Sequence, residues 1–299
     1  MAKPKRPDAS RATAPATSPA AASAANRTRS RFDVVLRLST LAALIAFVAG
    51  SLWNFWLIRR QLERIEQNRV EHLYWRLTRP GTDAADRKDA FLRLVATGNR
   101  EWAATNLADL DLKEADLEGA SLKFAHFRSC NLTNAHFQDA VLFKAGISTS
   151  DLSGADFRNA DLREARLFRN LEFQKADLRG VTMTAGSLQQ SSLVDCDLRG
   201  AKLDEVDLLK TGFRDCKLQD ADLMLADLTD AVFLRTNLRK TKLFRATFRN
   251  VNFKDSNWWR ALGIPLERIE DYKRRFPPSE TAPKEFREDW ELWLKTGGK

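Results

Sequence analysis

The sequence holds little of what most chemistry requires. Its three cysteines, Cys130, Cys196 and Cys216, form no CxxC pair and suggest no disulfide framework. Its three histidines are His72, His126 and His136, and no Walker loop, GxGxxG, GxSxG or HExxH is present. An enzyme is therefore not expected, and neither a cofactor nor a metal site is read from the residues. Two stretches lack charge of a given kind. Leu38 to Ile58 has no charged residue over 21 positions, and Arg235 to Lys254 has no acidic one.

Each of these gaps points somewhere. A helix of 21 residues at 1.5 Å per residue spans about 32 Å, the hydrocarbon thickness of a bilayer. Trp53 and Trp56 near its end, followed by Arg59 and Arg60, suit an interfacial belt and a stop. A cleaved signal peptide is the rival, but its apolar region is shorter than this run. The expectation is a single-pass anchor, in a bacterial inner membrane. Ala42, Ala46 and Gly50 form a small-xxx-small stripe through which two anchors can pack. Sidedness is nearly balanced, with four Lys/Arg in the twenty residues before the span and five after. It leans to the cytoplasm for the repeat region.

The net charge of +9 is unevenly placed. Residues 1–100 carry 18 Lys+Arg against 8 Asp+Glu, whereas residues 101–258 carry 22 against 24. The basic excess belongs to the N-terminal third, so a nucleic-acid partner is not expected. Residues 1–33, rich in Ala, Pro, Ser and Thr, read as a disordered basic tail, and 34–58 as the anchor. Residues 59–100 read as a helical stalk ending at Pro80-Gly81, then a short adaptor helix capped by Thr82 or Asp83, with Phe91, Leu94 and Val95 inward.

Beyond residue 101 neither a 3.6-residue nor a two-residue period fits. A large apolar residue recurs at every fifth place: thirteen centres from Leu107 to Leu167, then, after a one-residue slip at LFRNLEF, seventeen from Phe173 to Phe253. A small residue usually stands two places earlier, and the cysteines occupy that small position. Periodicity this sustained means a solenoid, each unit burying its apolar side chain against its neighbours.

Ala115-Asp116-Leu117, Ala155-Asp156-Phe157, Ala176-Asp177-Leu178 and Ala221-Asp222-Leu223 carry the pattern A(D/N)LXX. In this the sequence resembles the pentapeptide-repeat family over residues 105–258. The resemblance implies an all-β solenoid, a right-handed quadrilateral β-helix with four pentapeptides per coil, here flanked by the anchor and other α-helices. Residues twenty apart then stack. Phe173, Leu193, Phe213, Phe233 and Phe253 form one column, and Cys196 lies one coil from Cys216, a spacing that admits a disulfide. Parallel inward side chains favour plain packing instead. His126 and His136 fall on opposite sides.

The surface gives three readings. The recurrent aspartates bond nearby backbone N–H groups rather than act as paired catalytic carboxylates. The slip makes a bulged corner that exposes Arg169 and Asn170, as a recognition feature or as a tolerated insertion. Arg235, Arg239, Lys240, Lys242, Arg245, Arg249 and Lys254 put positive charge around the last coil, as a solvated rim or as a contact for an acidic partner or anionic lipid. Residues 259–299 read as a helical cap over the open end. Leu266, Ile269 and Phe276 line its first helix, and Phe286, Trp290, Trp293 and Leu294 its second, which can also serve a homodimer. The functional expectation is a membrane-tethered, non-enzymatic scaffold that binds a protein partner. The rival is the DNA-mimicking, topoisomerase-protecting activity that the resemblance also implies, which calls for a strongly acidic rod.

Overall fold

The computed structural model describes residues 19–79, 81–97, 107–168 and 171–297, with side chains from Leu38 onward except Ala43. The chain divides into two compact units, residues 1–68 and 69–299.

Helix α1 (Pro19–Thr78) begins inside the segment expected to be disordered. Proline suits a first helical turn, and the AAASAA that follows it is rich in the best helix former, which local composition alone had outweighed. Among the described residues one helix, within Leu38–Thr78, is long and apolar enough to cross a membrane, and none of its apolar window is buried. The Trp53 and Trp56 rings lie 5.3 Å apart, and the Arg60 guanidinium sits 5.2 Å over Trp56. Gly81, at φ 82°, follows the end of α1 in a conformation glycine adopts without steric cost.

In the second unit the chain climbs as a four-sided coil. One column of bridges runs Asp111, Asn131, Asp151, Glu172, Ser192, Gly212, Val232 and Asn252. Every step is twenty residues except Asp151 to Glu172, where the extra residue is absorbed and stacking resumes. The four faces take their order from the centres that open them: Leu107, Leu112, Leu117 and Leu122. All thirty centres are buried, none more than 5% exposed. Full burial of a Leu or Phe side chain contributes about 1.5–3 kcal/mol, so each unit is held by its own centre and by the coils above and below. Phe213 and Phe233 stack at 4.9 Å with planes 2° apart, Phe253 follows at 5.3 Å, and Phe137 stacks on Phe157 at 4.7 Å.

Corners come in two kinds. In the turn-type unit the second residue past the centre takes positive φ, and the next small residue bonds back, as Ala115 N–H does to the Leu112 carbonyl at 3.0 Å. The strand-type unit has positive φ at the same place, as at Ser129 (54°) and Asp215 (55°), but its centre lies in a three-residue strand and the return bond is not made. Strands β1 (His126–Arg128), β2 (Gly146–Ser148) and β3 (Arg166–Phe168) pair in parallel on the first face. Strands β4 (Glu172–Gln174), β5 (Ser192–Val194), β6 (Gly212–Arg214) and β7 (Val232–Leu234) do so on the second.

Both ends of the rod are covered. Helix α2 (Ala84–Ala96) starts at Asp83, whose carboxylate accepts from Ala85 N–H at 2.9 Å. It buries Ala90, Phe91 and Leu94, and Phe91 meets Phe127 edge to face at 6.2 Å. At the far end a 3₁₀ turn (Trp258–Arg260) leads to α3 (Leu266–Arg275) and α4 (Lys284–Lys295). Trp258, Trp259, Tyr272, Phe276, Trp290 and Trp293 pack there, with Tyr272 5.5 Å from Phe253. Two expected cap residues face solvent instead. Leu266 is 82% exposed and Leu294 44%, because the face of α3 is carried by Tyr272 and that of α4 by its tryptophans.

Candidate interaction surfaces

The carboxylates that repeat along the rod are engaged by its own backbone. Asp111, Asp116, Asp151, Asp156, Asp161, Asp177, Asp197, Asp207, Asp222 and Asp227 each accept from the N–H two residues on. Asn131, Asn237 and Asn252 do the same. Where a short acceptor precedes a centre, it thus ties down the corner after it. Arg158, Arg163, Arg179 and Arg199 fold back onto the aspartate of their own unit at 2.6–2.7 Å. The Arg163 guanidinium holds the Asp161 carboxyl below the usual carboxylate range. Burial works the other way at Asp156 and Asp197, but hydrogen bonds from Arg158 with Gln138, and from Arg199, outweigh it and lower both. Three of these pairs stack on the third face, where Arg158 and Arg179 also flank a shallow groove of about 280 Å³ closed by Gln138, Asp139, Asn159 and Gly180.

The last coil places its seven cations on all four sides, and the coil beneath it answers them. Residues 215–234 hold Asp215, Asp220, Asp222, Asp227 and Asp230 against Lys217 alone. Arg235 donates to both Asp215 oxygens at 2.7 Å, and Lys242 reaches Asp222 at 3.0 Å. Arg239, Lys240, Arg245, Arg249 and Lys254 are exposed and make no ion pair among the described residues. An acidic layer under a basic one had been legible as a count of aspartates twenty residues earlier, a signal missed by reading the basic run alone. The corner residues Arg169 and Asn170 lie outside the described residues.

The cysteines are free, buried and structural in their bonding. A strand-type unit has no return bond to its centre carbonyl, and on the second face the small residue one coil up supplies one. Cys196 Sγ donates to Phe173 O, Cys216 Sγ to Leu193 O, Thr236 Oγ1 to Phe213 O, and Ser256 Oγ to Phe233 O. Cys130 Sγ does the same for Leu107 O. The neighbouring Cys196 thiol and burial push the Cys216 thiol well up, and burial does so for Cys130. Among the described residues no cluster of three His, Cys, Asp or Glu side chains is placed to hold a metal ion.

Two family models match the rod. "Pentapeptide repeats (8 copies)" covers residues 104–145 and "Pentapeptide repeat region" residues 166–243, the second running through the slip. The rod is a pentapeptide-repeat domain. Among solved structures it is similar to HetL of the cyanobacterium Nostoc, a pentapeptide repeat protein involved in heterocyst differentiation regulation: 25% identity over 58% of this chain and 96% of that one, TM-score 0.43. It is also similar to QnrB1, a plasmid-mediated fluoroquinolone resistance protein, at 19% identity over 51% and 83% of the two chains, TM-score 0.42. A pentapeptide repeat protein from the Arabidopsis thaliana thylakoid lumen matches at 18% identity over 62% and 88%, TM-score 0.14. No curated protein matches the chain.

Proposed function

We propose that this chain is a membrane-tethered, non-enzymatic scaffold whose pentapeptide-repeat rod displays a rigid surface to a protein partner. The observation that carries the reading is the unburied apolar window within Leu38–Thr78, in the same chain as a rod whose recurrent carboxylates are bonded to its own corners. A helix with Leu38, Phe47, Leu52 and Phe55 exposed has no stable place in water, and the bilayer supplies one. The five unpaired cations of the last coil are the candidate contacts for an acidic partner. A DNA mimic fits less well, since the rod is nearly neutral and its final coil is basic.

Full-length protein in isolated membranes tests this directly. Alkaline carbonate should leave it in the pellet, and its appearance in the supernatant would refute the tether. A tag after Lys299, probed with protease on intact and lysed spheroplasts, then reports the side of the rod. Protection until lysis means cytosolic partners, and cleavage in intact spheroplasts means envelope partners.

A further inference from the structure

At the corner between the fourth and first faces, the first coils set a basic wall around one bare aromatic ring. Phe124 is 42% exposed there and meets Phe143 edge to face at 5.8 Å. The ring of Phe143 is covered, with Lys144 Nζ at 5.0 Å and the Arg163 guanidinium at 5.9 Å. Round the corner, strands β1–β3 read HFR, GIS and RLF, a parallel wall without a carboxylate. His126 lies across Gly146, where a Cβ would fall 2.6 Å from its Nδ1, so glycine leaves room for the ring.

The cations of this wall are not spent within the rod. Lys123, Arg128 and Arg166 are exposed and make no ion pair among the described residues. Residues 121–150 hold a single acid, Asp139, and it and Asp109 stand at the far corners of the two faces. One coil on, Asp161 and Glu164 are taken by Arg163 at 2.6 Å and by Lys144 at 3.3 Å.

Leu225 supplies a control within the molecule. It occupies the same corner column, with the φ of 60° and the 42% exposure of Phe124, so bareness and backbone alone name no occupant. The surrounding charge does. Where Phe124 has Ser121, Lys123 and His126 beside it, Leu225 has Asp222, Met224 and Asp227 at the same offsets, with Glu205 one coil below.

A projecting apolar tip on a flat cationic wall matches an anionic bilayer, whose headgroup layer takes the ring while its phosphates meet the cations. Single-stranded nucleic acid needs open rings on which successive bases stack, and here the second ring is capped by cations. The surface is small, so the inference rests on the tethered reading above: an anchored chain holds it at high local lipid concentration. We infer that this corner is a docking surface for anionic lipid, with Phe124 in the headgroup layer and Lys123, Arg128 and Arg166 on the phosphates.

The test uses the full chain reconstituted in phosphatidylcholine vesicles, with or without phosphatidylglycerol as a third of the lipid. An environment-sensitive fluorophore is placed on Phe124→Cys, the native thiols being buried. Its emission should shift to the blue and be quenched by nitroxide lipid only when phosphatidylglycerol is present. The same label on Leu225→Cys should stay in water. Salt at about 1 M should reverse the shift. So should Lys123→Glu, Arg128→Glu and Arg166→Glu together, exposed changes that should leave the melting temperature as it was. A label at position 124 indifferent to lipid charge overturns the inference, as does equal quenching at position 225 or a shift that survives salt. So does shielding in native membranes but not in vesicles, which assigns the corner to an acidic protein. Alkaline carbonate reports the tether separately: a chain that stays in the pellet with its label in water fails this inference alone, and a released chain fails the tether.

Discussion

The two frames of the rod, residues 107–167 and 173–253, use one pentapeptide and build different walls. In the first, the extended strands lie on the first face, and in the second they lie on the next face round. The centres do not decide this, since leucine and phenylalanine fill both kinds of unit. What differs is the residue three places after the centre. Strand-type units are followed by Cys130, Ser150, Cys196, Cys216 and Thr236, whose side chains bond carbonyls of their own or the preceding coil, with Ala176 after β4 the exception. Turn-type units are mostly followed by alanine, whose N–H closes the turn. Ser191, Thr211 and Thr241 break the composition rule but not the physics, because their N–H groups still bond back to Leu188, Leu208 and Leu238. The slip is where one arrangement hands over to the other.

That contrast can be broken at its core first. Leu142 and Leu223 are fully buried centres of the fourth face, one in each frame. Lysine at either position buries an unpaired charge and should lower stability by about 3–5 kcal/mol in thermal melts. Equal losses in the two frames would show that the centres are interchangeable, and an unchanged curve would remove the centre assignment. A sharper probe is the polar column. Ser150 Oγ accepts from Cys130 N–H and Ser256 Oγ from Thr236 N–H, each at 3.0 Å. Ser150→Ala and Ser256→Ala should each cost about 1–3 kcal/mol and speed hydrogen exchange at those two amides, while Ala145→Ser on a turn-type corner leaves its neighbours' exchange unchanged. The smallest effect lies in the cap. The Arg260 guanidinium holds the Asp289 carboxyl low; at Asp255 burial opposes, yet bonds from Ser279 and Thr281 hold it low too. Folded values below the unfolded one, near 3.9, mean stability that is complete above that pH and lost as pH falls through the lower folded values. Tryptophan fluorescence should therefore report loosening of the cap below about pH 4. Asp289→Asn should flatten the fall and lower stability at neutral pH.

Much of the fold was legible because its period is unlike that of helix or strand. Every centre from Leu107 to Phe253 is where the spacing put it, and the buried cysteines stand among them. What was not legible depends on contacts between coils. Nothing local at Phe127 or Phe213 marks either as a strand centre; the answer lies one coil up, at Ser150, which accepts from Cys130 N–H, and at Thr236, which donates to Phe213 O. The seven cations of the last coil were visible as a run, but that Asp215 and Asp222 neutralise two of them appears only when the chain is folded into twenties. Leu266 and Leu294 were misassigned because an apolar stripe on a short helix does not say how wide its partner surface is.

The twenty-residue step has a consequence for how such a chain can change length. Removing four pentapeptides shortens the rod by about 4.8 Å and leaves every wall facing as before. Removing one turns everything beyond it through a right angle relative to the α2 end. The single extra residue between Leu167 and Phe173 does neither, because a corner swallows it. The azimuth of the final coils is thus a digital quantity, set by the number of units modulo four, and a lineage that keeps the count keeps its compass.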